Sequence, residues 1–357
     1  MNQPPVDADG LLAELIRQRI PGGGPGLALL VLQDGAHRVQ LVKGLARVTD
    51  GSELRPDSIF YVGSLAKQFV GACVALLERD GALSAHDPIA RYIDDLPAWG
   101  AEVTLDHLVH HVSGLHDADR ASHMGVPADG VPAWSSEDQL TKVRNLERLT
   151  YPPGTRYAYS NRGYALLARA VERAAGMRLT DFARGRIFEP LGMSASMFRD
   201  RPDALPSAAA RGHFEAIDGR RYEEPARFHA VGAGGMWTTT ADLARWDANC
   251  DDDRLAGGWL PARLMETGSL VDGTPLHYAW GVSVRSHRGL PIVSHGGSFP
   301  GWESKMVRFP TARTTFICLA NTDDLDVSGL VFEAADLLLA DALDPGAPTA
   351  AETLASG

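Results

Sequence analysis

The sequence predicts an α+β fold: one antiparallel sheet built from both termini and flanked by helices, with a mainly helical region inserted between its halves. Three observations carry that expectation. Near the start, "GLALLVLQDGAHRVQLVKGLARV" gives two strand-like runs around Asp34-Gly35, a hairpin signal. Four more strand-like runs, "YAWGVSVRS", "LPIVSHG", "SKMVRFP" and "TTFICLAN", crowd into the last quarter. Between them, from Ser64 to about Glu189, the text is mostly helical, with breaks at "HVSGLH" and "YPPGTRY".

Taken in order, residues 8–20 have helical spacing of Leu11, Leu12, Leu15 and Ile16. The "GGGPG" at 22–26 lacks the following Gly-Lys-Ser/Thr of a phosphate loop and reads as a helix-to-strand turn. "VGAGGMWTTTADLARW" is a loop feeding a helix, and a last helix is expected over about Val327 to Ala342. The tail "DPGAPTAAETLASG" reads as disordered. The expected organisation is therefore residues 1–63 plus 230–345 as the sheet region, 64–229 as the helical region and 346–357 as a disordered tail. The site is expected at the junction of the two regions.

Composition narrows the function classes. The 357 residues are 45% hydrophobic and 22% charged, ordinary for a globular protein. A net charge of −11 with no basic stripe argues against nucleic acid. No apolar run approaches the roughly 18 residues that cross a bilayer. The first residues show no basic n-region and no continuous apolar h-region, so a cytoplasmic protein is expected. Cys73, Cys250 and Cys318 are odd in number and far apart; Cys73 and Cys318 fall in apolar runs and read as core residues. The sequence supports no disulfide framework, no metal and no cofactor.

The chain holds four lysines against thirty arginines, yet Lys67 sits in "FYVGSLAKQFVGACVALL", which reads as a buried helix. Burying an ammonium is costly and lowers its pKa. Ser64 and Lys67 form S-x-x-K, and positions i and i+3 of a helix share a face. A lysine so placed can accept the serine proton, which an arginine cannot, and the helix N-terminus favours charge developing on the serine oxygen. Alone, S-x-x-K equally describes a lysine snorkelling near a helix start. Two further stretches add context. In "YAYSNRGYALL", Tyr159 and Asn161 stand just before a helix, offering a phenol for proton transfer and an amide to orient a carbonyl or Lys67. In "VSHGGSFPGW", His295, Gly297 and Ser298 end a strand along which a substrate can lie, with the Ser298 N–H as half an oxyanion hole.

S-x-x-K, then Y-x-N about a hundred residues later, then a K/H-x-G triad on a late strand resembles the class C β-lactamase and penicillin-binding-protein-like serine hydrolase family. "LDHLVHHVSGLHD", "YPPGTRYAYSNRGYALLARAVERAAG", "IFEPLGM", "GAGGMWTTTADLARW" and "YAWGVSV" fit the same pattern, so the likeness spans about residues 10–342. It implies a β-lactamase/transpeptidase-like fold. It implies Ser64 as nucleophile forming an acyl-enzyme, Lys67 and Tyr159 sharing base and acid roles, and Asn161 positioning the substrate. The N–H groups of Ser64 and Ser298 match the oxyanion hole. His295 stands where penicillin-recognising members carry lysine in K-T-G. A histidine is mostly neutral at pH 7 and gives a substrate carboxylate no permanent cation. H-x-G members resemble esterases, D-amino-acid peptidases and amidases, and acyltransferases more than efficient β-lactamases.

The expected function is therefore a serine hydrolase cleaving a small ester, amide or short peptide. An acyltransferase using the same acyl-enzyme is the alternative; a β-lactamase or DD-peptidase ranks below it, and a silent binding module last. No nucleic acid or membrane partner is expected, and the sequence carries no signal for oligomeric state. His107 and His111, at i, i+4, lack the H-E-x-x-H glutamate, and "DANCDDDRLAGG" lacks the glycine and glutamate of a calcium loop. Trp237, Trp280 and Trp302 are either acyl-pocket lining or core. Residues 123–136 and the segment carrying Arg220, Arg221 and Arg227 are the expected cleft walls.

Overall fold

The computed structural model describes residues 8–20, 22–116, 133–202, 206, 209–215, 221–224, 227–252 and 254–351. Helix α1 (Ala8–Arg19) buries Leu12 and Ile16 and leaves Leu11 exposed, as a single apolar stripe requires. Strands β1 (Leu27–Gln33) and β2 (Ala36–Lys43) form the hairpin. Asp34 and Gly35 between them both take positive φ, 50° and 76°, the turn geometry whose twist matches that of the flanking strands. The late runs become β3 (Ser283–His287), β4 (Leu290–Phe299), β5 (Trp302–Phe309) and β6 (Thr314–Ala320).

All six form one antiparallel sheet in the order β3-β4-β5-β6-β1-β2. The seam between the chain's two ends is the β1–β6 pair, running from Leu27↔Ala320 to Gln33↔Thr314. Alternation along β1 splits its side chains between two cores. Leu27, Leu29 and Val31 meet α1 and the C-terminal helix α5 (Val327–Leu338; α2 to α4 follow below). Ala28, Leu30 and Leu32 face the helical region. Covered on both faces, β1 reads as an unbroken apolar run instead of an alternating one.

Three helices position the site. Helix α2 (Lys67–Arg79) is buried from Lys67 to Leu77. Helix α3 (Asn161–Ala175) starts at Ser160, whose hydroxyl accepts the Gly163 N–H at 3.3 Å, and ends at Gly176 with φ 65°. Helix α4 (Thr240–Asp252) packs on the sheet, where Asp247 accepts from Arg308 and Thr315, each at 2.9 Å. Cys73 and Cys318 are buried core thiols. Among the described residues, no helix is long and apolar enough to cross a membrane.

Two expectations need correction. The strand read from "YAWGVSVRS" begins only at Ser283. Before it, Gly281 turns with φ 87° so closely against α2 that an added Cβ would lie 2.4 Å from the Lys67 carbonyl oxygen. The tail expected to be disordered is held from 346 to 351; residues 352–357 lie outside the described residues. Arg288 N–H donates to Pro348 O at 2.9 Å, Ala350 N–H donates to His287 Nδ1 at 3.2 Å, and Ala350 is buried. One small apolar side chain seated on a strand end, with two backbone hydrogen bonds, outweighs the tail's polar, proline-rich composition.

Candidate active site

The chain enters the site from a buried two-residue strand, Phe60–Tyr61, and tightens into a 3₁₀ turn at Gly63–Ala66 before α2 begins at Lys67. With three residues per turn, positions 64 and 67 stack directly. Lys67 Nζ lies 2.9 Å from Ser64 Oγ, 2.8 Å from Asn161 Oδ1 and 2.9 Å from Ala233 O. Lys67 is fully buried. A buried amine held by two fixed carbonyl-type oxygens and aimed at a serine hydroxyl can relay that hydroxyl's proton. The snorkelling alternative fails, because Nζ points inward.

Tyr159 and Asn161 flank the α3 cap, so the cap itself places them. Lys67 Nζ sits 4.8 Å from the Tyr159 ring centroid, which sets phenol and amine in one pocket. Beneath Tyr159 lies His111, buried at 1% exposure. Its ring is 4.4 Å from the Tyr159 ring, 5.1 Å from Tyr164 and 4.5 Å from Tyr278. The Ser160 N–H donates to His111 Nδ1 at 3.1 Å, so the ring proton sits on Nε2. Burial, with Lys67 nearby, pushes the His111 pKa well below the ordinary histidine value, and the imidazole is neutral. His107 closes a capping box with Thr104 at the start of Leu105–Val109.

The other wall is the free edge of β4 beyond its pairing with β3. A Cβ added at Gly297 would lie 2.1 Å from Val62 O and 2.8 Å from Ser64 N. A Cβ on Gly63, whose φ is 51°, would lie 3.2 Å from Ser298 N. Two glycines thus let two backbones touch, and the Ser64 and Ser298 nitrogens both lie at that contact. Ser304 Oγ donates to Val62 O at 2.9 Å and ties β5 to the same spot.

His295 is locked by both ring nitrogens. Its Nδ1–H donates to Gly296 O at 2.6 Å, and Nε2 accepts from the Tyr278 hydroxyl at 2.9 Å. Tyr278 keeps its proton, since burial raises its pKa well above the usual tyrosine value. Burial first, then the nearby Lys67 charge, lowers the His295 pKa to about 3. The imidazole is neutral across the physiological range, as the comparison with lysine anticipated.

Ser64, Tyr159, Asn161, His295, Gly297 and Ser298 all line one cavity of about 600 Å³, with Lys67 beneath its floor. Its rim carries Gln139, Lys142 and Arg162 on the helical side and Glu303 and Ser328 on the sheet side. The seven residues singled out from the three motifs thus lie together in the structure. The sequence did not place His111 in the site, nor Tyr278, whose only signal was its place in "YAWGVSV". The three tryptophans are core: Trp237 and Trp302 pack with Tyr61, and Trp280 lies under the Arg263 guanidinium. Arg221 is exposed beside Glu215; Arg220, the side chain of Arg227 and residues 123–132 lie outside the described residues.

Comparison with known proteins agrees with this geometry. The chain matches the Beta-lactamase family model over residues 12–340. It is 30% identical over 321 residues to penicillin-binding protein 4* of Bacillus subtilis (strain 168), covering 83% of this chain and 68% of that one. It is 26% identical over 301 residues to a D-aminopeptidase of Gluconobacter oxydans (strain 621H), covering 84% of this chain but only 56% of the relative. The octameric penicillin-binding protein homologue from Pyrococcus abyssi superposes with a TM-score of 0.82 at 23% identity, over 95% of this chain and 79% of that one.

Proposed function

This chain belongs to the Beta-lactamase family, and from that premise we propose that it is a serine amidase or peptidase working through an acyl-enzyme on Ser64. The observation that carries the reading is the contact of Lys67 Nζ with both Ser64 Oγ and Asn161 Oδ1 at the edge of β4.

In this reading, Ser64 Oγ attacks the substrate carbonyl carbon and Lys67 Nζ acts as the base that takes its proton. The ammonium formed is held by Asn161 Oδ1 and Ala233 O. The carbonyl oxygen, now negative, sits between the N–H groups of Ser64 and Ser298. Lys67 and Tyr159 return the proton to the leaving nitrogen, and the C–N bond breaks. Water then attacks the acyl carbon, giving its proton to the same pair, and Ser64 is released. Tyr278 and His111 hold His295 and Tyr159 in place for this sequence.

Two features favour an amide over a penicillin. Neutral His295 offers a carboxylate no cation where penicillin-recognising members carry lysine. The similarity to a D-aminopeptidase, together with the open β4 edge, points to a D-aminoacyl amide or peptide as acyl donor. Ester cleavage and transfer to an added alcohol or amine draw on the same acyl-enzyme.

The test is intact mass after a fluorophosphonate, on wild type and Ser64→Ala, with turnover of D- and L-alanyl p-nitroanilide and of nitrocefin. Labelling should vanish in the variant and anilide turnover fall at least about 10⁴-fold. Nitrocefin as the faster substrate, or full activity in Ser64→Ala, overturns the reading. Products formed with added amines separate transfer from hydrolysis.

A further inference from the structure

The two breaks in the helical text, "HVSGLH" and "YPPGTRY", are laced together beside the cavity that holds Ser64. Thr150 N–H donates to Gly114 O at 3.0 Å, Gly154 N–H to Val112 O at 2.7 Å and Ala158 N–H to His111 O at 2.8 Å. Gly114, at φ 81°, has no room for a side chain, since a Cβ there would lie 2.1 Å from Tyr151 O. Residues 150–158 therefore form a fixed shelf.

That shelf walls a second cavity of about 430 Å³, lined by His116, Tyr151, Arg156, Tyr157 and Tyr159. Its volume is that of a small-molecule cleft. Tyr159 also lines the catalytic cavity, so the two spaces meet at its phenol. A second link is Arg162, on the catalytic rim, which donates to His116 O at 2.9 Å. The Arg156 guanidinium stands 5.7 Å from the Tyr151 ring centroid, and the neighbouring Tyr157 is 40% exposed. Among the described residues Arg156 forms no ion pair. In a chain of net charge −11, a guanidinium held over one tyrosine and beside another, with no carboxylate on it, is a place for one.

We propose that this cavity is the leaving-group subsite, and that Arg156 is a specificity-determining residue that pairs with a carboxylate carried by the departing amine. This rests on the amidase reading of the Ser64 site, and it adds the charge of the half of the substrate that leaves. In that reading Lys67 and Tyr159 return the proton to the leaving nitrogen, so the departing group lies beside Tyr159, where the second cavity begins. The acyl half stays on Ser64 at the β4 edge. The cation that neutral His295 does not supply is thus supplied on the far side of Tyr159. A guanidinium meets a carboxylate with two parallel N–H···O bonds, and Tyr151 and Tyr157 offer flat apolar surface to the chain that carries it.

The experiment compares kcat/KM for D-alanylglycine with that for D-alanylglycinamide, and for D-alanyldiglycine with its amide. Release of D-alanine is read by chromatography at low ionic strength, in wild type, Arg156→Gln, Arg156→Lys and Arg156→Glu. A separate sample of each protein is labelled at Ser64 with a fluorophosphonate. For at least one length, wild type should favour the acid over the amide by about 10- to 100-fold, the worth of one charge-assisted hydrogen bond. Arg156→Gln should bring that ratio near unity, chiefly through KM. Arg156→Lys should keep part of it, and Arg156→Glu should invert it. Normal labelling with equal turnover of acid and amide at both lengths, with no cleavage of either acid, or with an unchanged ratio in Arg156→Gln, overturns the subsite alone. Absence of labelling at Ser64 in wild type overturns the amidase reading and the subsite with it.

Discussion

Replacing Gly297 with alanine adds one methyl group to β4 and should disable the enzyme without unfolding it. The new Cβ would lie 2.1 Å from Val62 O, 2.7 Å from Ser304 Oγ and 2.8 Å from Ser64 N. A tolerable carbon–oxygen contact is roughly 3.3 Å, so β4 must withdraw from the 3₁₀ turn by about 1 Å. Overpacking of this kind costs about 1–3 kcal/mol of stability. The withdrawal carries the Ser298 N–H away from the Ser64 N–H. A displacement of about 1 Å at a reacting centre is worth about 10²-fold, and loss of one oxyanion donor costs about 10²–10³-fold in kcat, or about 2.7–4 kcal/mol. The assay is kcat on p-nitrophenyl acetate, with thermal melting as the fold control. Gly296→Ala makes the comparison, since its Cβ meets only Ser304 O at 3.1 Å and the Lys305 stem, behind the edge. It should lose less than about tenfold. A folded Gly297→Ala enzyme within threefold of the wild-type kcat would refute the oxyanion geometry.

Lys67→Arg keeps a positive charge but removes the proton relay, and should lower kcat by about 10²–10⁴-fold; an active Lys67→Arg enzyme would mean that the lysine acts as a charge alone. The pH dependence of stability tests His295. Its folded pKa of about 3 lies below the ordinary 6.5 of the unfolded chain, so between those values the unfolded state binds one more proton. Stability therefore falls on acidification through that window, by about 1.4 kcal/mol per pH unit where the difference is complete, and is unaffected by His295 above pH 7. His111 pulls in the same direction. Urea unfolding at pH 4 to 6 should show a slope about one proton shallower in His295→Gln; an identical slope would mean that the imidazole titrates normally.

How much of this was legible in the residues differs by element. The Asp34-Gly35 hairpin and the helix starting at Asn161 were written locally, by turn residues and a serine cap. Ser64, Lys67, Tyr159 and Asn161 could be named because S-x-x-K and Y-x-N follow one another in the order of a known family, although each motif alone has an ordinary structural reading. His111 could not: histidine on an apolar stretch has many fates, and only the packing of Tyr159, Tyr164 and Tyr278 around it reveals this one. The tail from 346 to 351 was misjudged because its composition describes the unbound chain and says nothing of the strand end it meets.

The seam between β1 and β6 joins Leu27 to Ala320, so the centre of the sheet cannot close until nearly the whole polypeptide is available. Pairings of such sequence separation form late and slowly. During synthesis Ser64 and the start of α2 emerge early, while Gly297 and Ser298 arrive some 230 residues afterwards. A nascent or truncated chain therefore carries the Ser64 hydroxyl without the strand that, in the proposed reading, completes its site. Turnover becomes a report that both ends have met, and unfinished copies are chemically quiet.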